Sequence, residues 1–130
     1  MEKRTHTTVS LINYHFVFCP RYRRKIFLHH DVEVRFKQLV REVCEELEIT
    51  VIALECDKDY SHMFLNTLPT LSPADIMPKI KGMTFKKLRE ELSHLQHLPS
   101  LWTRSYFVST AGNVSSETIR RYVEQQKTRG

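Results

Sequence analysis

The sequence predicts an α+β domain with an antiparallel sheet covered by helices. Three observations carry this reading. Short runs rich in β-branched and aromatic residues read as strands, longer stretches place apolar residues at helical spacing, and the elements run β-α-β-β-α-β with one further helix at the end. The 130 residues suit one domain and one buried core. With only three glycines and five prolines there is no flexible linker, and there is no internal repeat, so a single domain over residues 1–130 is expected.

Residues 9–19 form the first predicted strand, stopped by Pro20. From 31 to 48 the apolar residues Val32, Phe36, Leu39, Val40, Val43 and Leu47 repeat as on one helical face, with Asp31 as the expected N-cap. Residues 50–56 and 60–67 are strands joined by a two-residue turn at Lys58-Asp59. Ser72-Pro73 opens a second helix with a capping serine and a proline in its first turn, and Ile76, Ile80, Met83, Leu88 and Leu92 carry it to about residue 93. A fourth strand is predicted over 102–110 and broken by Gly112-Asn113. Ser115 or Ser116 caps a last helix ending near residue 127. This is the split β-α-β, ferredoxin-like order: a four-stranded antiparallel sheet with two helices on one face, plus a C-terminal helix. The order by itself decides no chemistry.

No apolar run approaches the roughly 20 residues of a membrane span, and the polar stretch over residues 1–8 lacks a signal-peptide core. A cytoplasmic protein is expected. Cys19, Cys44 and Cys56 form no paired metal motif, so reduced and mostly buried thiols are the plain expectation. The net charge of +5 and pI near 9.2 favour a polyanionic partner. Basic residues gather at Arg21, Arg23, Arg24 and Lys25, then at Lys79, Lys81, Lys86, Lys87 and Arg89, and again at Arg120, Arg121, Lys127 and Arg129. Any one cluster is ordinarily a solvated face. Tyr22, Phe27, Trp102 and Tyr106 lie in or near these stretches, which suits a nucleic acid that offers phosphates and stackable bases. Arg21, Tyr22, Arg23, Arg24, Lys81 and Lys86 are the expected nucleic-acid-binding residues.

Three segments carry a family resemblance. Tyr14-His15-Phe16-Val17-Phe18-Cys19-Pro20-Arg21-Tyr22-Arg23-Arg24-Lys25, Glu55-Cys56-Asp57-Lys58-Asp59-Tyr60-Ser61-His62-Met63-Phe64-Leu65 and Arg121-Tyr122-Val123-Glu124-Gln125-Gln126 resemble, in order, the first strand, the HUH strand and the nucleophile helix of the single-tyrosine HUH transposases of IS-two-hundred-like insertion sequences, including their REP-associated relatives. Lys81-Gly82 and the stretch from Trp102 to Tyr106 also fall where that family would place them. The resemblance implies a homodimer acting on single-stranded, hairpin-bearing DNA ends, with active sites shared between chains. It implies Tyr122 as the nucleophile, a 5′-phosphotyrosine intermediate, and a divalent metal, Mg²⁺ or Mn²⁺. The family motif is His-hydrophobic-His, and here those positions read Tyr60-Ser61-His62, so the first metal-binding histidine is replaced by Tyr60.

On a strand, Tyr60 and His62 share a face. The two-residue turn sets Asp57 opposite Tyr60 and Glu55 opposite His62. A strand histidine is ordinarily structural; the motif makes His62 a metal ligand instead. Glu55 then supplies an oxygen in place of the missing histidine, as hard divalent ions prefer. Tyr122 and Gln126 lie four apart on one helical face, with Ile119 and Val123 as anchors. The expected metal ligands are His62, Glu55 and Gln126, completed by water and a DNA phosphate oxygen, with Tyr60 lining the site. His6, His15, His29, His30, His94 and His97 show no metal spacing. The leading reading is a DNA-cleaving and rejoining transposase. The alternative is a catalytically weakened single-stranded nucleic-acid-binding relative, and an RNA-binding module on the same sheet is a third.

Overall fold

A computed structural model describes residues 11–110 and 112–126. The strands are β1 (Ile12–Phe18), β2 (Thr50–Asp57), β3 (Tyr60–Thr67) and β4 (Phe107–Ser109). The helices are α1 (His30–Glu46), α2 (Pro73–Glu91) and α3 (Ser116–Gln125). The sheet runs β2-β3-β1-β4 with every described pairing antiparallel, which is the ferredoxin-like order the element sequence predicts.

Lys58 and Asp59 are the two turn residues, and Asp57 pairs with Tyr60 and Glu55 with His62. A bulge between Val51 and Ala53 absorbs a one-residue change of register further along, leaving Ile52 exposed. On β3 alternate residues point to opposite faces: Ser61, Met63, Leu65 and Thr67 are buried, whereas Tyr60, His62, Phe64 and Asn66 are half-buried. On β1, Tyr14 to Phe18 are all buried. Phe16 and Phe18 enter the main core with residues of α1 and α2. Val17 and Cys19 join Ile119 and Val123 of α3 in a second, smaller cluster. Thus α1 and α2 cover one face of the sheet and α3 packs on the other.

α2 starts as the sequence predicts. Ser72 and Asp75 form a reciprocal capping box, with Pro73 in the first turn. α3 is capped by Ser115, whose hydroxyl accepts from the Thr118 N–H at 3.1 Å. α1 departs from expectation. It begins at His30, with His29 at the cap position, and Asp31 lies inside the first turn. There its carboxylate accepts from the Val32 N–H and meets His94, and it still complements the helix dipole.

The fourth strand is shorter than the predicted 102–110 span. Trp102 makes only an isolated bridge to Pro20, and regular pairing is confined to Phe107–Ser109. The cause is visible in the side chains. Trp102 turns into the core against Phe18, Phe27 and Phe36 and donates its indole N–H to Thr84 Oγ1 at 3.0 Å. Lys81 Nζ donates to the carbonyls of Thr103 at 2.7 Å and Ser105 at 2.9 Å, drawing this segment onto α2. Residues 9–10 of the first predicted strand and the end of the last predicted helix at 127 lie outside the described residues.

Cys19 and Cys44 are buried and Cys56 half-buried, all as free thiols. Burial pushes Cys19 and Cys56 up to about 12, so both stay protonated and unreactive. Among the described residues no helix is long and apolar enough to cross a membrane. Phe36 is fully buried between Phe18, Phe27 and Trp102. Phe36→Ala should therefore cost about 3–5 kcal/mol by transfer and cavity terms. Leu28→Ala, at a side chain 67% exposed, should stay within about 0.5 kcal/mol. Urea unfolding midpoints with unchanged slopes check both.

Candidate active site

Across the sheet, one row of paired residues runs Glu55 on β2, His62 on β3, Val17 on β1 and Phe107 on β4. Val17 packs against α3, so this row lies on the α3 face of the sheet. At its β2 end, Glu55 is exposed and directly opposite His62, as the two-residue turn requires. His62 is half-buried, and desolvation, followed by the nearby His15, pulls its pKa below the ordinary imidazole value while Glu55 acts in the opposite sense. A neutral ring with an available lone pair is what metal ligation needs. Burial, followed by Asp57 and Asp59, raises Tyr60 above the ordinary phenol range, so its hydroxyl stays protonated.

At the β4 end lies the second group of site residues. Tyr122 packs its ring against Phe107 with centroids 6.0 Å apart. Its hydroxyl lies 3.0 Å from Ser105 Oγ. Ser105 Oγ donates to Gln126 Oε1 at 2.9 Å, so the Tyr122 hydroxyl is the donor in its own contact with Ser105. Gln126 is only 1% exposed, and its amide nitrogen donates to the Tyr122 carbonyl at 3.4 Å.

The fold therefore assembles the predicted residues as two pairs. Glu55 meets His62 through the hairpin, and Tyr122 meets Gln126 through α3 and Ser105. β1 stands between them: at the usual strand spacing the backbones of His62 and Phe107 are about 10 Å apart. The Gln126 amide is engaged with Ser105 rather than with His62. Among the described residues no three His, Cys, Asp or Glu side chains converge as a ready metal cage. One imidazole and one carboxylate fit a loosely held hard ion that keeps waters and takes a substrate phosphate oxygen.

The expected DNA-binding residues divide. Tyr22 is 55% exposed in a left-handed conformation, φ 57°, with the Arg24 guanidinium 5.4 Å from its ring centroid. Arg21 donates through Nε to the Trp102 carbonyl at 3.3 Å. Arg23, also left-handed at φ 51°, pairs with the buried Asp59 at 2.8 Å and with Glu124 at 3.2 Å, tying this turn to the hairpin and to α3. Lys81 faces inward, bound to two carbonyls and close to Tyr106 and Phe18, and burial lowers it to about 8. It remains an ammonium near neutrality, holding the segment that carries Ser105. Lys86 is exposed on α2, in the helical layer across the sheet from His62.

Residues 8–126 match the family model described as Transposase IS200 like. The chain belongs to the IS200-like transposase family. Among curated relatives, it is 30% identical over 128 residues to the transposase for insertion sequence element IS200 of Salmonella typhimurium LT2, covering 96% of this chain and 83% of that one. It is 24% identical over 127 residues to the ISDra2 transposase TnpA of Deinococcus radiodurans, covering 95% and 90%. Among solved structures, a candidate transposase from Deinococcus radiodurans R1 superposes with a TM-score of 0.87 at 26% identity, covering 95% of this chain and 97% of that chain. A REP-associated tyrosine transposase solved with a REP hairpin gives a TM-score of 0.59 at 14% identity over 95% and 69%, a likeness of fold.

Two site residues of this family member escape sequence reasoning. His15 lies 3.1 Å from His62 through ring nitrogens, yet the two are 47 positions apart and show no metal spacing. Ser105 sits inside what reads as a continuous strand. Only the pairing of β1 with β3 and the inward pull of Lys81 reveal them. The lowered pKa of His62 has a consequence for stability. Below the unfolded value near 6.5 the unfolded chain takes up a proton that the folded chain resists. Stability should thus fall as pH drops from about 6.5, and His62→Gln should flatten that fall in urea titrations run from pH 7.5 to 5.

Proposed function

We propose that this transposase cuts and rejoins single-stranded DNA at hairpin-bearing element ends through a 5′-phosphotyrosine on Tyr122. The observation that carries the reading is the placement of Tyr122 and Gln126 on the same sheet face as His62 and Glu55, in a chain of this family. In the forward step Tyr122 Oη bonds to phosphorus, the P–O3′ bond breaks, and the phenol proton ends on the departing 3′-oxygen. Attack by a 3′-OH on the phosphotyrosine reverses the sequence and rejoins the strand. His62 and Glu55 would hold a divalent ion, Mg²⁺ or Mn²⁺, with Gln126 as the third protein ligand once freed from Ser105. Bound there, such an ion neutralises charge on the phosphate oxygens. Tyr60, protonated, lines the site.

The exposed Tyr22 ring beside Arg24 supports stacking on unpaired bases, with Arg21 and Lys86 contributing charge. A fold neighbour solved with a REP hairpin supports the same partner. The separation of His62 from Tyr122 across β1 supports a homodimer in which one chain's α3 completes the other's site, each chain acting as one transposase domain. A second reading, a weakened relative that binds hairpins without cutting, is favoured by Tyr60 in the place of a ligand histidine and by the engagement of Gln126 with Ser105.

Incubation with a hairpin-bearing single strand and Mn²⁺ decides between them. A denaturant-resistant protein–DNA adduct is expected, lost in Tyr122→Phe with DNA affinity within about threefold, and retained in Tyr60→Phe. Adduct loss in Tyr60→Phe alone reverses the assignment, and no adduct from the unaltered chain leaves the binding module. Binding should weaken steeply with salt and favour the hairpin over duplex. Glu55→Ala should lower metal-dependent cleavage about as much as His62→Ala, and Tyr60→His should raise Mn²⁺ affinity in calorimetry.

A further inference from the structure

His15 belongs to no part of the site as the sequence describes it, yet it is the side chain in closest polar contact with His62. The residue is 6% exposed, and its ring is stacked on that of Phe64, its pairing partner across β1 and β3, with centroids 4.1 Å apart and planes within 5°. A ring held in this way has little rotamer freedom. His15 Nε2 lies 3.3 Å from the Gly112 carbonyl oxygen. A carbonyl only accepts, so Nε2 carries the proton and the neutral ring keeps its lone pair on Nδ1. That Nδ1 lies 3.1 Å from His62 Nε2. The ring centroids are 5.3 Å apart and the planes within 21°, so the two nitrogens meet nearly head-on. This is the geometry of one N–H donating to one lone pair. Two lone pairs directed at a shared ion would instead tilt both ring axes well away from the line joining the nitrogens.

We propose that His15 is a positioning residue: it holds His62 in the Nε2–H tautomer and so presents His62 Nδ1 as the metal-facing atom. The proposal rests on His62 as a metal ligand and adds which nitrogen binds and what orients it. β1 and β2 flank β3 on opposite sides. With Nε2 engaged toward β1, the remaining nitrogen is left for an ion shared with Glu55, which pairs with His62 from β2. Metal-ligating histidines usually donate their other N–H to a fixed acceptor, which sets the tautomer and raises ligand basicity. Here the acceptor is a second imidazole, fixed in turn by the backbone carbonyl of Gly112. Gly112 lies between β4 and α3, so the connection leading to the nucleophile helix is coupled to the metal histidine through one ring.

The test is made on the full chain without metal, by ¹⁵N–¹H correlation spectra of the histidine rings at pH 7.5. The expected result is a His62 ring with a protonated Nε2 and an unprotonated Nδ1. A His62 ring protonated at Nδ1 overturns the proposal, and this measurement needs no variant. His15→Phe keeps the stack on Phe64 and removes the acceptor; the His62 tautomers should then mix, and Mn²⁺ affinity measured by paramagnetic resonance should fall about 10-fold or more. His15→Asn places a carbonyl oxygen near the lost Nδ1 and should restore most of both. Unchanged ring shifts and affinity in His15→Phe also overturn the proposal. Absence of Mn²⁺ binding by the unaltered chain sinks the metal role of His62, whereas the ring shifts judge His15 separately.

Discussion

β1 is buried on both faces, and most of the molecule is arranged around that constraint. A strand covered on one side only would alternate buried and exposed residues; Tyr14 to Phe18 are buried without interruption. Phe16 and Phe18 require the layer formed by α1 and α2, and Val17 and Cys19 require α3. β3 pairs with β1 along its whole length on one edge, and β4 pairs with His15, Phe16 and Val17 on the other. The same strand then divides the candidate site. It supplies the apolar floor at Val17 and the polar ring of His15, and it holds the hairpin pair and the α3 pair apart.

Polar side chains do the finer positioning. Lys81 reaches from α2 to the carbonyls of Thr103 and Ser105, and Ser105 in turn meets Tyr122 and Gln126 on α3. Arg23 links the turn after β1 to the buried Asp59 of the hairpin and to Glu124 of α3. A buried carboxylate left without its guanidinium is costly, which is why such a link fixes geometry more than it adds stability. Each network joins elements distant in sequence, so α3 is docked by apolar contacts at Ile119 and Val123 and oriented by hydrogen bonds at its edges.

Local signals transferred well from sequence to structure wherever the determining contacts are local. The Ser72-Pro73 start, the Ser115 cap and the two-residue turn at Lys58-Asp59 each depend on residues within a few positions, and each forms as read. The turn alone carries Glu55 to His62, since a hairpin of fixed loop length has one register. The readings that changed depend on distant partners. With His30 inside the helix, Asp31 lies in the first turn and meets His94 from beyond α2, and the fourth strand shrinks because Trp102 finds a partner on α2 and Lys81 reaches out from it. Lys81 illustrates the limit of counting charges: it reads as a phosphate contact in a basic run and is instead the tie that positions Ser105.

The sequence by itself determined the order of the elements, the ferredoxin-like sheet, the family, and the pairing of Glu55 with His62. These follow from periodicity, caps, turn length and motif, all written in short windows. Only the tertiary structure decided that His15 meets His62, that Ser105 holds Tyr122 and Gln126, and that β1 separates the two pairs. The physical reason is that these contacts are diagonal or cross-layer. They exist only once β1 pairs with β3 and α3 docks across the sheet, and residues 47 positions apart carry no spacing that reveals them.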